Sequence, residues 1–194
     1  TSVEGAAGAL ATLLRAVLGI ALLAMMVPPG CAGLTQYLGP ALPKFRLVLK
    51  YSVVVVVLVG AQSTVRALLD QPIVPLTKIE GYKTLASLGF LLPYCVALVI
   101  AAPVYEEFLF RGFLFRGIAH SRMGNGAAVV ITAAAWALIH TQFTNYQIVV
   151  TFFLGLYYGW VRLRTNSVWT PVFLHSLQNA LFFVAAAIAV KLAT

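Results

Sequence analysis

Six apolar runs, separated by short polar or Pro/Gly-rich stretches, set the pattern of this chain. They cover residues 8–27, 47–65, 85–102, 127–141, 148–162 and 168–190. Each approaches the roughly 20 residues that cross a bilayer as a helix. In lipid, only a helix or a closed barrel satisfies its own backbone, so the β-branched valine run at 51–60 reads as a membrane helix and not as a strand. Residues 109–118 form a shorter apolar stretch that can dip into the membrane as a seventh element. The expected fold is all-α, a polytopic integral membrane helical bundle of about six to eight membrane helices. No polar linker divides it, so 1–194 is read as a single domain.

The breaks between runs carry their own signals. Pro28, Pro29, Gly30 and Gly33 predict a loop over 25–38. Residues 36–50 suggest an interfacial segment interrupted by Pro40 and Pro43, and 70–83 is the most water-like stretch. Pro103 fits the first turn of a helix, where its missing N–H is no loss. A separate helix is therefore expected over 104–120, with Glu106 and Glu107 in its first turn, opposing the positive end of its dipole. The repeated FLFRG at 108–112 and 113–117 reflects apolar periodicity and no repeat architecture. Gly117 and 124–126 mark the turn that follows.

Composition narrows the class. Only 9% of residues are charged and 61% are hydrophobic, with a mean hydropathy of +0.95. Soluble domains carry about a quarter charged residues. The formal net charge of +8 is spread over span ends and forms no basic stripe with interleaved aromatics, so membrane lipids and not nucleic acid are the expected partners. With six spans, Lys44, Arg46, Lys50, Arg116, Arg122, Arg162 and Arg164 fall on one side. Arg66, Lys78, Lys83 and Lys191 fall on the other, diluted by Asp70 and Glu80. The positive-inside rule turns the first group to the cytoplasm or its equivalent and both termini away from it. Arg15, in the first run, is expected to snorkel, His120 to sit at the interface, and Cys95 to pack as a small hydrophobe. Cys31 and Cys95 have neither metal-ligand nor disulfide-framework spacing. A targeting segment removed upstream of Thr1 is compatible with this start. Bacterial plasma membrane, plastid membrane and endoplasmic reticulum are not distinguished by composition.

Against this background the run YEEFLFRGF at 105–113 stands out. Ionised groups at membrane depth are costly unless paired. On a helix, Glu107 and Arg111 are spaced i,i+4 and share a face, with the acid on the favourable N-terminal side. Glu106 is turned about 100° away, so one arginine does not neutralise both carboxylates. His175 and Asn179 repeat the i,i+4 spacing, with Gln178 close by, and so do Trp136 and His140. Taken singly, each of these residues has a structural reading as an interhelical hydrogen-bonder or ion pair. Together they make a kit for peptide hydrolysis. A glutamate held by a histidine takes a proton from water, while a His and an Asn on one helix face hydrogen-bond an oxyanion. The alternative is a zinc site built from Glu106, His140 and His175; the HExxH motif is absent.

The order of these residues resembles a known family. Glu106-Glu107-Phe108-Leu109-Phe110-Arg111 matches the EExxxR motif of the CPBP family, the CAAX proteases and bacteriocin-processing enzymes also called Abi proteins. Trp136 and His140 resemble its second motif, with Trp where the family usually has Phe, and His175 with Asn179 matches its HxxxN motif. The resemblance spans about 101–180. It implies an all-helical intramembrane endopeptidase with a conical cavity opening toward the cytosol. Glu106 would be the catalytic glutamate, activating water with His140; His175 and Asn179 would form the oxyanion site; Glu107 and Arg111 would support it. Family descriptions divide between metalloprotease and glutamate protease, and the glutamate reading makes a cofactor unnecessary. The implied substrate is a membrane-tethered or prenylated peptide or protein. A second expectation from the same polar cluster is a protease-like subunit, without turnover, of a larger membrane-protein complex.

Overall fold

The computed structural model of the chain describes residues 2–27, 43–74 and 76–192, apart from the side chains of 2–9 and 77. Most of the loop expected at 25–38, including Cys31, and the first part of the expected interfacial segment lie outside the described residues. Those residues form seven helices: α1 (Ser2–Met25), α2 (Phe45–Leu68), α3 (Leu76–Ser87), α4 (Leu91–Ala119), α5 (Gly124–Leu138), α6 (Asn145–Thr165) and α7 (Trp169–Leu192). The all-α bundle expected from the apolar runs is the observed architecture. Three helices, α2, α4 and α7, are long and apolar enough to cross a membrane; the apolar stretch 10–25 of α1 and α5 are shorter. Large aliphatic side chains stand exposed along α1, α2 and α7, among them Leu14, Leu18, Val53, Val57, Val184 and Ile188. Such a continuous apolar exterior suits lipid and not water, and the chain is an integral membrane protein. Arg15 lies on the exposed side of α1, as snorkelling requires.

Two boundaries differ from expectation. The apolar run 85–102 is broken, because α3 ends at Ser87 and α4 starts at Leu91. Gly89 adopts φ +72°, Phe90 N–H bonds the Leu85 carbonyl at 2.9 Å and Gly89 N–H that of Ala86 at 3.2 Å. This is a Schellman stop, which needs a left-handed residue that glycine adopts freely.

Conversely, Pro103 starts no helix. Residues 91–119 form one continuous helix with Pro103 buried inside it. A proline in a helix interior removes one bond and crowds the carbonyl four residues back. Here the turn ahead of it, Ala97–Ala101, is widened to a π-helix, and the Ala102 N–H bonds the Ala97 carbonyl. A second π segment follows at Phe108–Leu114. Glu106 and Glu107 therefore lie mid-helix, so the first-turn dipole argument does not hold.

The core lies where α2, α4, α5, α6 and α7 meet. Tyr51, Val55, Phe110, Trp136, Leu154, Tyr158, Val161 and Leu174 pack there. Helices α5 and α6 approach closely along small residues, as membrane helices do when lipid removes the hydrophobic drive between them. A Cβ added to Gly155 would lie 3.0 Å from Ala133 Cα and 3.2 Å from Arg111 Nη2. At the start of α6, Thr144 and Gln147 form a reciprocal capping box, which fixes the direction of the chain beside His140.

Candidate active site

Helix α4 supplies Glu106, Glu107 and Arg111, α5 supplies Trp136, and His140 follows α5 directly. Helix α7 supplies His175, Gln178 and Asn179. The sequence-predicted residues come together as two neighbouring clusters, with the Trp136 ring between them.

The first cluster is sealed. Glu107 and Arg111 have no exposed side-chain surface, and Arg111 Nη1 donates to Glu107 Oε1 at 3.0 Å. His175 Nδ1 reaches the same oxygen at 2.9 Å. A carboxylate can only accept here, so the hydrogen in that bond sits on Nδ1. Arg111 Nη2 donates to the Gly155 carbonyl at 3.2 Å, and its guanidinium carbon lies 4.5 Å from the Trp136 ring centroid. Glu107 Oε2, Arg111 Nε and Thr170 Oγ1 are buried without a hydrogen-bond partner among the described residues. The i,i+4 pairing of Glu107 with Arg111 is as expected, and the π segment places the rest. Arg162 Nε donates to the Arg111 carbonyl at 3.0 Å and its Nη1 to Asn166 Oδ1 at 3.0 Å. Arg162 was assigned from sequence to a span end as an orienting charge. It is at that end, but 5% exposed, engaged with the α4 backbone.

The second cluster is partly open. Glu106 keeps 18% and His140 15% of its side-chain surface. Trp136 Nε1 donates to Glu106 Oε2 at 2.6 Å. His140 Nδ1 lies 2.7 Å from the Trp136 carbonyl, so Nδ1 carries the hydrogen and neutral Nε2 is an acceptor. That Nε2 faces Glu106 Oε2 across 4.0 Å. The His140 ring stacks on Phe143, centroids 4.7 Å apart. Asn179 Nδ2 donates to the Leu98 carbonyl at 2.8 Å, a carbonyl inside the first π segment. Its neighbour Gln178 accepts from Tyr158 Oη at 2.5 Å.

Sequence reasoning missed three contributors. The indole of Trp136 was counted only as an aromatic in place of the family's usual Phe, yet it hydrogen-bonds Glu106. Tyr158 stacks on His175, centroids 5.8 Å apart, and had no polar context to mark it. Lys78 was read as part of a solvated stretch but is half-buried beside the site. His120, exposed and bonded to its own helix, takes no part, as expected. Among the described residues no three His, Cys, Asp or Glu side chains are grouped to hold a metal; His175 Nδ1 faces Glu107, and Glu106 and His140 lie 4.0 Å apart.

Residues 88–181 match the family model described as type II CAAX prenyl endopeptidase Rce1-like. The match begins at residue 88, ahead of the 101 expected from the motifs, and so takes in the π turn that presents the Leu98 carbonyl to Asn179. No curated protein and no solved structure matches the chain.

Proposed function

Because residues 88–181 carry a domain of the CAAX-protease family, an intramembrane protease kind, we propose that this chain is an endopeptidase whose water is activated by Glu106 and His140. The 4.0 Å gap between Glu106 Oε2 and His140 Nε2 carries this reading. It is too long for a direct hydrogen bond and suits one water that donates a hydrogen to each acceptor. Such a water keeps its lone pairs free to attack a carbonyl carbon placed above it. Its proton passes to Glu106, which later delivers it to the leaving amide nitrogen.

The oxyanion is assigned to Asn179 and His175. Asn179 spends one amide hydrogen on Leu98 and retains the second. His175 holds its Nδ1 hydrogen on Glu107, so donation from Nε2 requires the doubly protonated ring. Glu107 balances that charge, and Arg111 holds Glu107 in place. This gives the sealed cluster a supporting part in the chemistry and needs no metal. The substrate is a membrane-tethered or prenylated peptide, in keeping with a site built among membrane helices.

The test is turnover of a farnesylated peptide by the purified chain and by Glu106→Gln. Wild type should cleave it, and the variant should lose about 10²- to 10⁴-fold while unfolding at an unchanged temperature. Retention of more than about a tenth of the activity would reject Glu106 as the base. A folded wild type that binds the peptide but never cleaves it would favour the non-catalytic subunit.

A further inference from the structure

Two polar cavities open at opposite ends of the bundle. One, of about 540 Å³, is a recess beside α3, with Arg66, Gln71, Lys78 and Thr144 among its walls. The other, of about 320 Å³, lies where α4 ends, α5 begins and α6 ends; Arg116, His120, Asn125, Arg162, Leu163 and Asn166 line it. None of the residues assigned to the proposed chemistry borders this second cavity.

Among the described residues its lining holds three basic side chains and no Asp or Glu. Arg116 and Arg162 stand in the last turns of α4 and α6, where a cation offsets the negative end of a helix. That structural role accounts for only part of the charge. Each helix end carries roughly half an elementary charge, so the two ends balance about one of the two guanidinium groups. The first turn of α5, which includes Asn125, brings the positive end of a third helix, and its N-cap Met123 supplies no side-chain hydrogen bond.

The groups around the cavity are mostly donors, and they are held in place. Asn166 spends its side-chain oxygen on Arg162, which leaves its amide nitrogen as a donor. His120 Nδ1 lies 2.8 Å from the Arg116 carbonyl, so the ring is fixed beside that arginine. A phosphate is the matching chemistry, since its several acceptor oxygens suit guanidinium forks.

The setting indicates what carries the phosphate. The cavity sits where the apolar helices end. Trp160, 43% exposed and one turn before Arg164, lies 5.8 Å from that guanidinium carbon; tryptophan of this kind settles at headgroup depth. Leu163 in the wall, and Val130 and Ile131 farther along α5, expose apolar side chains to acyl chains. Basic pockets between membrane helices take anionic headgroups on these grounds. We propose that this cavity binds the phosphate of one anionic phospholipid, held between α4 and α6 by Arg116 and Arg162. The site stands apart from the proposed catalysis and does not depend on it.

The test reconstitutes the full chain into nanodiscs of phosphatidylcholine with or without phosphatidylglycerol. Retained lipid is counted by native mass measurement, beside thermal unfolding. Wild type should keep one phosphatidylglycerol per chain, favoured over phosphatidylcholine by about tenfold or more, as fits charge-assisted hydrogen bonds. It should also unfold at a higher temperature when that lipid is present. Arg116→Gln should lose most of the preference. Asn125→Asp should lose it too, through a carboxylate set in the wall. An acid suits the first turn of a helix, so this variant folds and decides the matter if Arg116→Gln does not. Arg46→Gln removes an exposed charge at the same end but outside the cavity, and should keep the preference. Equal loss in all three variants would overturn the site and leave a general attraction of this end to anionic lipid. Retention that survives Asn125→Asp unchanged would overturn it as well. Protection by millimolar inorganic phosphate that matches phosphatidylglycerol, with no lipid retained, would assign the cavity to a soluble phosphate, against this proposal.

Discussion

Glu106 and Glu107 are neighbours in one helix, yet they occupy opposite kinds of site. Glu107 has no exposed surface, and one of its oxygens holds both Arg111 and His175. Glu106 is partly open, held by one indole, with an imidazole nitrogen 4.0 Å away. Two identical carboxylates thus divide into a sealed, doubly held one and a partly open one, and the proposed function uses the open one as its base. The difference arises from rotation: successive helical residues point about 100° apart, so Glu107 turns to Arg111 and His175 and Glu106 toward Trp136 and His140. Chemistry that needs one inert and one reactive acid is obtained by position alone.

Each side of this division can be attacked separately. The largest stability loss should come from Arg111→Ala, which strands the buried Glu107 carboxylate; breaking such a pair typically costs about 3–5 kcal/mol. Thermal unfolding in detergent would show it, and a variant that unfolds like wild type but is inactive would mean that Arg111 contacts substrate. Gly155→Ala probes the same cluster from α6. The added methyl meets the Ala133 backbone and the Arg111 guanidinium, and overpacking of this kind costs about 1–3 kcal/mol. If unfolding is unaffected, the α5–α6 seam has slack that the distances deny. The smallest effect, on the open side, is Trp136→Phe. It keeps an aromatic ring and removes the hydrogen bond to Glu106, so kcat should fall about tenfold with KM nearly unchanged, and the smaller ring in the core lowers stability by about 1 kcal/mol. A change in KM alone would assign the indole to substrate contact instead.

How much of this was legible in the sequence follows from range. The Glu107–Arg111 pair was readable because i,i+4 spacing survives into the fold, and the expense of charge in an apolar chain marked EE…R, His140, His175 and Asn179 as a group. The sharing of Glu107 by His175, 68 residues away, was not readable, since periodicity within one helix does not report rotation between helices. The neighbourhood of His140 and Glu106, 4.0 Å apart, was expected only through the family resemblance. Pro103 misled because its start-of-helix preference is strong locally, while the π turn that absorbs it depends on the packing of the whole helix. Gly89 was passed over because an apolar run on both sides hid a left-handed stop. Lys78 was misread because polar sequence neighbours suggest water, whereas its own side chain faces a recess.

Two expectations about orientation are incompatible. Arg116, His120, Arg162 and Asn166 gather at one end of the bundle, and Arg66, Gln71, Lys78 and Thr144 line the cavity mouth at the other. This agrees with the two groups of basic residues drawn from the span order. The positive-inside rule turns the first end to the cytoplasm, while the resemblance implies a cavity that opens toward the cytosol. The cavity opens at the less basic end, so only one of these holds. The bias of basic residues is modest, and burial of Arg162 in backbone contacts weakens it further, since a charge consumed by the fold is a poor topology signal.

The π segment at Phe108–Leu114 also has a consequence for how this helix tolerates change in length. A π turn is an α-helix carrying one surplus residue. Deleting one residue inside it lets the ladder revert to ordinary i→i+4 spacing, with the helix ends still seated in the bundle. Loss of the residue and loss of the widened turn compensate, so side chains beyond the segment keep their faces. What such a deletion removes is the local aim of the side chains and carbonyls of Phe108–Leu114. Arg111 and the carbonyl that Arg162 grips would leave their partners while the helix itself stayed intact. The surplus residue acts as a local key. It sets how the stretch around Arg111 is presented to α6 and α7, independently of the faces the rest of α4 shows.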